Sequence, residues 1–293
     1  MSVAFSIEGD EVIIGVMGAT GSGKSTFINL LSGSDLPVGN GLMSCTSEVQ
    51  MSNTFMLAGR SVILVDTPGF DDTMKSDTDI LKMIGAYLSS AYEAGIKLSG
   101  LIYMHRISDF RMTGVSRRNF RMFRKLCGDE ALQNVTIVTN MWSEPVLDEG
   151  AKMERHDGSP ASAQEIVRRI IDNTRLSLQV QREIVDENKD ITQTAAGVEL
   201  DGQLAALRAQ HKKELAEVRE EMAEALATND LKAKKELEQV RADLEGNIAR
   251  IEGDRDRLMR EFQAEKARVD ATIDQLRRQL DGRGHDNGSC RVF

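Results

Sequence analysis

Aromatic residues make up only 4% of this 293-residue chain, with a single tryptophan. That is little for a compact core throughout, so part of the chain is expected to lie outside a globular domain. Basic residues do not outnumber acidic ones: 37 Lys and Arg stand against 46 Asp and Glu, a net charge of −9. A nucleic-acid partner, which needs a basic footprint, is therefore not expected. The three cysteines, Cys45, Cys127 and Cys290, are far apart, odd in number and without metal-ligand spacing. They read as reduced thiols of a cytoplasmic protein. No apolar run approaches the length of a membrane span. The first ten residues lack the basic region and apolar stretch of a secretory signal. No Ser–His–Asp arrangement, paired-carboxylate site or zinc spacing offers a hydrolytic or metal centre.

What is present is a phosphate-binding loop. Gly18, Ala19, Thr20, Gly21, Ser22, Gly23, Lys24 and Ser25 match G-x-x-x-x-G-K-[ST] at each fixed position, and Thr26 follows. The apolar run Glu11–Met17 reads as a buried strand before the loop. Residues Ser25–Leu31 have helical spacing and stop at Gly33. The chemistry needs these residue types. Glycines let backbone N–H groups curl around phosphates, and the helix N-terminus adds partial positive charge. Lys24 is placed to reach the β- and γ-phosphates, and the Ser25 hydroxyl to hold Mg²⁺.

Downstream, short apolar runs alternate with helical patterns, as in a mostly parallel sheet with crossover helices. Ser47–Leu57 and Arg60–Asp66 read as two strands joined at Ala58-Gly59, Ser76–Ala94 as a helix and Gly100–Met104 as a strand. Ser116–Cys127 reads as a basic amphipathic helix and Val135–Thr139 as another strand. No strand is assigned around Lys152–Asp157. Ser159 or Ser162 is expected to cap the helix carrying Ile166, Val167, Ile170 and Ile171. Asp66-Thr67-Pro68-Gly69 ends the run Val62–Val65 and forms D-x-x-G. Asp66 there holds a Mg²⁺-bound water, and the Gly69 N–H meets the γ-phosphate and senses its loss. Thr46, in the loop between the two motifs, completes the Mg²⁺ shell in this reading; the alternative is a threonine that starts a strand.

The phosphate loop, the Ser44-Cys45-Thr46 loop and the segment Asp66–Thr73 together resemble those of septin-like and GIMAP/Toc-type GTPases, over roughly residues 10 to 170. The resemblance implies a Ras-like α/β fold with a six-stranded sheet, GTP or GDP with Mg²⁺ as ligands, and the roles given above for Lys24, Ser25, Thr46, Asp66 and Gly69. It departs from the pattern twice. Where N-K-x-D is expected, the chain reads Asn140-Met141-Trp142-Ser143, so Asn140 stands but the lysine and aspartate are missing. Base reading then falls to another acceptor: Glu144 could supply one, Trp142 could stack on the base, and His156 or Asp157 could contribute from the next loop, each reading otherwise as a structural residue. Phe70 follows D-x-x-G where a water-orienting glutamine stands in Ras-type enzymes, so intrinsic hydrolysis is expected to be slow. His105, Arg106 and Arg111 are candidates to supply catalytic groups, as G-domain pairing does in related families; His105 reads equally as a core histidine.

From Arg175 onward proline is absent, and Glu, Lys, Arg, Ala, Leu and Gln dominate. Apolar residues recur at steps of three and four from Leu200 to Met222 and again from Leu237 to Leu280, a coiled-coil seam with stutters. A lone helix cannot bury that seam. Its partner is a second copy, another protein, or the tail folded back on itself. The expected organisation is a G domain over residues 1–174, a coiled-coil stalk over 175–281 and a flexible tail over 282–293. The last four residues, Cys290-Arg291-Val292-Phe293, fit C-a-a-X loosely and make Cys290 a candidate prenyl acceptor for peripheral membrane association. The function expected is a GTP-binding switch or assembly module with slow turnover. An ATP-using P-loop enzyme and a scaffold that binds nucleotide structurally are the rivals.

Overall fold

A computed structural model describes residues 11–38, 48–70, 75–106, 114–140, 152–227 and 231–284. A sheet is the centre of the fold. Strands β1 (Val12–Gly18), β4 (Arg60–Asp66), β5 (Gly100–Arg106), β6 (Val135–Asn140) and β7 (Lys152–Arg155) run parallel. The order across the sheet is β2-β4-β1-β5-β6-β7, where β2 (Gln50–Met51) and β3 (Phe55–Leu57) both pair antiparallel with β4. Gln50 faces Asp66 but Phe55 faces Val62, so the register slips by one residue between them. Ser52 sits at that slip, and its hydroxyl accepts from the Leu64 N–H at 2.9 Å. β2 and β3 are thus one bulged edge strand, and the seven segments reduce to the six strands of a Ras-like domain.

Alternation along β1 assigns its two faces. Val12, Ile14 and Val16 pack with Phe27, Ile28, Ile166 and Ile170 of α1 (Lys24–Ser32) and α4 (Pro160–Ile171). Ile13 and Met17 face the opposite layer, with α2 (Asp77–Glu93) and α3 (Gly114–Cys127). Ser159 is the cap of α4: its hydroxyl accepts from the Ser162 N–H at 3.2 Å, and Pro160 follows at the first helical position. Ser76 caps α2 through a reciprocal box with Asp79. On α3, Phe120 and Phe123 stack on Tyr103 of β5, with ring centroids 5.3 and 4.7 Å away.

An ordinary surface helix keeps one polar face in water. α2 does not: from Ile80 to Ala91 only Lys82 is not buried. The cover comes from the C-terminal third of the chain. After α4, residues Leu178, Val180, Ile184 and Ile191 enter the α2 layer through a short helix α5 (Gln179–Gln181) and the π-helical turn Arg182–Asp186. Two long helices follow, α6 (Ala195–Ala227) and α7 (Leu231–Gly284). They pair with each other as an antiparallel hairpin. Leu215 and Val218 pack on Leu244, while Lys212 reaches Glu252 and Arg219 reaches Glu245. Farther on, α7 lies along α2 as well, with Leu258 still beside Leu200 and Leu204 of α6. Leu258 and Phe262 enter the core there, 3% and 1% exposed. Lys82–Glu261 and Lys266–Glu93, each 2.5 Å, flank them. Of the three partners open to the seam, the structure shows the tail folded back on itself and on the domain. The resulting core runs across residue 175. Among the described residues, no helix is long and apolar enough to cross a membrane.

Candidate functional site

Parallel strands bring the carboxyl ends of β1, β4, β5 and β6 to one rim, where Lys24, Ser25, Asp66, Gly69 and Asn140 collect. β1 ends in the phosphate loop, and α1 starts at Lys24. The Lys24 side chain is buried, and its Nζ donates to the carbonyls of Gly18 (3.3 Å) and Ala19 (3.0 Å). A buried ammonium needs acceptors, and here the loop itself supplies them. Ser25, one residue on, donates its hydroxyl proton to Asp66 Oδ2 at 2.6 Å. Asp66 is fully buried at the end of β4, in register with Val16. A hydroxyl and a carboxylate 41 residues apart in sequence thus share one point beside the loop. Two hard oxygen donors together suit a magnesium ion or its bound water.

Beyond Asp66 the chain is fastened to the phosphate loop. The Thr67 hydroxyl donates to the Val16 carbonyl at 2.9 Å. The Thr20 N–H donates to the Phe70 carbonyl at 2.9 Å, and the Phe70 N–H to the Gly18 carbonyl at 3.2 Å. Gly69 passes so close that a Cβ on it would lie 2.5 Å from the Thr20 nitrogen. The glycine of D-x-x-G is therefore required by backbone contact with the loop, before any ligand is considered. Phe70 turns inward and is 1% exposed in the core of the α2 layer. No side chain is aimed at the phosphate position from that residue.

On the other side of the loop, the Asn140 amide donates to the Ser22 carbonyl at 2.7 Å. Its Oδ1 is buried and has no hydrogen-bond partner among the described residues. Asn140 thus ties the end of β6 to the phosphate loop and holds one acceptor in reserve. Its register partner on β5 is Arg106. The Arg106 head group lies against the loop apex, 3.3 Å from where a Cβ on Gly21 would stand. Its neighbour His105 is half-buried at the same strand end.

His156 and Asp157, candidates from the sequence to contribute to base reading, make contacts at the start of α4. The His156 ring stacks edge-on against Phe27 with centroids 5.1 Å apart, and its Nδ1 meets the Ser162 hydroxyl at 2.8 Å. Burial holds its pKa below the usual histidine value. Asp157 accepts from the Ser159 N–H and the Ser162 hydroxyl at the start of α4. Those bonds keep its carboxyl far below the ordinary carboxylate range. Thr46, Cys45, Arg111, Trp142, Glu144 and Cys290 lie outside the described residues. Cys127 is a fully buried free thiol whose pKa is pushed up by burial, and it takes no part in the site.

Residues 13–140 match the family model described as 50S ribosome-binding GTPase. That span runs from the strand before the phosphate loop to Asn140, the two ends of the cluster just described. The segment has the fold of a Ras-like P-loop domain and matches that GTPase model. Similar solved structures include Toc33 from Arabidopsis thaliana in complex with Mg²⁺ and GMPPNP, at 18% identity over 59% of this chain and 62% of that one, with a TM-score of 0.38. The chain therefore spans less than two thirds of the Toc33 structure. The G domain of the T. maritima FeoB iron transporter matches at 18% identity over 55% of this chain and 96% of that chain, TM-score 0.38. NFeoB from S. thermophilus bound to GDP·AlF4⁻ and K⁺ matches at 12% identity over 86% and 98%, TM-score 0.41. No curated protein matches the chain.

Proposed function

We propose that this chain is a slow GTP hydrolase, of septin-like or GIMAP/Toc type, that serves as a nucleotide-dependent switch or assembly module. The observation that carries the reading is the convergence of Lys24, the Ser25–Asp66 pair and Gly69 at one rim of a P-loop GTPase domain. In this reading Lys24 exchanges its loop carbonyls for the β- and γ-phosphates. Ser25, Asp66 and Thr46 hold Mg²⁺, which when bound offsets phosphate charge. The Gly69 backbone meets the γ-phosphate, and Asn140 contributes to base recognition. Phe70, locked in the core, supplies nothing to orient water, which supports slow turnover unless a second copy adds a group. In the same reading, pairing with a second copy or another protein engages the helical hairpin, and a lipid on Cys290 brings the protein to a membrane surface from the cytoplasm.

The test is calorimetric titration of the full chain with GTP, GDP and ATP in the presence of Mg²⁺, with Lys24→Ala in parallel. Tight binding of guanine nucleotides alone, lost in Lys24→Ala, supports the reading. Preference for ATP, or wild-type binding by Lys24→Ala, sinks it. Nucleotide bound but never hydrolysed, with or without dimerisation, leaves a binding scaffold in place of the enzyme.

A further inference from the structure

We propose that Arg106 is a phosphate-chain ligand of the nucleotide site, acting from within the same chain. The inference rests on the nucleotide-site reading above and adds a contact to it. Its basis is position. Met104 is the register partner of Gly18, the last residue of β1. Arg106 comes two residues later, on a strand that runs beside β1 in the same direction, so it stands level with the loop. The head group has moved over the loop apex: a Cβ on Gly21 would meet Nη1 at 3.3 Å and Cζ at 3.9 Å. Gly21, at φ +73°, leaves that space open to the guanidinium.

Electrostatics gives this placement a direction. The N–H groups of a phosphate loop and a guanidinium carry charge of the same sign. A phosphate placed between them would be held from both sides. Lys24 lies deeper, its ammonium engaged with the Gly18 and Ala19 carbonyls, while Arg106 is half-buried at the outer edge. A guanidinium presents a planar fork of donors that fits phosphate oxygens two at a time. The neighbouring strand end carries no lysine. Met141 replaces the lysine that follows the asparagine in N-K-x-D, so the end of β6 brings none. Arg106, paired in register with Asn140, brings a cation from the adjacent strand.

The test uses the full chain, titrated with GDP and GTP plus Mg²⁺ at low and high salt, in four forms: wild type, Arg106→Ala, Arg106→Lys and Lys24→Ala. Arg106→Ala is expected to weaken both nucleotides about tenfold, or about 1.4 kcal/mol. The loss should shrink as salt rises, because an ionic contact to phosphate is screened. Arg106→Lys should recover part of it, and the loss of affinity should exceed any change in the stability of the nucleotide-free protein. Wild-type affinity in Arg106→Ala overturns the proposal. So does a loss that is independent of salt, which marks a base or sugar contact, or one that tracks a fall in nucleotide-free stability. If Lys24→Ala itself binds normally, the nucleotide-site reading fails. If Lys24→Ala loses binding while Arg106→Ala keeps it, only the role of Arg106 fails.

Discussion

Replacing Phe262 with alanine tests whether the hairpin and the nucleotide domain are one folding unit. Phe262 is 1% exposed, belongs to the same buried cluster as Ile84, Leu88 and Ile191, and touches the position of Gly85 on α2. A phenylalanine buries roughly 200 Å², and at about 25 cal/mol per Å² its full burial is worth up to about 5 kcal/mol. Phe→Ala changes in packed cores cost about 3–5 kcal/mol, the upper end where the site cannot collapse. Here the ring fills space between helices pinned by Lys82–Glu261 and Lys266–Glu93, so collapse is restricted. For a domain of this size each kcal/mol lowers Tm by about 2–4 °C, so the drop should be about 6–20 °C. The assay is urea and thermal denaturation followed by circular dichroism. Met259, three residues earlier on α7 and 47% exposed, is the internal control: Met259→Ala should change stability by less than about 0.5 kcal/mol. A cost below about 1 kcal/mol for Phe262→Ala, or early melting of the helices with the sheet domain intact, would refute a shared core.

Gly69→Ala places a methyl 2.5 Å from the Thr20 nitrogen, so the segment after Asp66 must lift off the phosphate loop; nucleotide hydrolysis should fall at least tenfold in a single-turnover assay. Asn140→Ala removes the amide bond to the Ser22 carbonyl and should weaken GDP binding and lower stability by about 1–2 kcal/mol, read by titration and urea denaturation. His156 has a folded pKa below its unfolded value because it is buried. The unfolded state then binds more protons, so stability is full above about pH 6.5 and falls as the pH drops below it. His156→Gln should flatten that slope in melts run from pH 7.5 to 5.5.

That Lys24, Asp66, Gly69 and Asn140 come together at one rim was legible because each motif is local. The phosphate loop, Asp66, Gly69 and Asn140 each stand at the end of an apolar run, and parallel strands bring such ends together. β7 was not legible for an equally physical reason. Lys152–Arg155 is a four-residue edge strand with no apolar alternation, paired by its ladder to β6. Nor did the seam of the tail name its partner. Leu215 and Leu244 pair within the hairpin while Leu258 and Phe262 sink into the domain, although all four follow the same spacing. Hydrophobic burial has no direction, so periodicity says that a face is covered and not by what. The all-round burial of α2 was a missed signal: Ile80, Leu81, Met83, Ile84, Ala86, Leu88 and Ala91 do not fit one stripe, which calls for a second cover.

That cover has a consequence for how the protein is made. α2 leaves the ribosome well before the part of α7 that roofs it. Phe262 is roughly 180 residues downstream of Gly85, and at about 5–20 residues per second it arrives about 10–35 s later. Through the second half of that interval α2 is covered only in part, by the segment from Leu178 to Ile191, and the side that Phe262 roofs has no permanent neighbour. The arrival of α7 is therefore the step of synthesis that closes this side of the sheet domain.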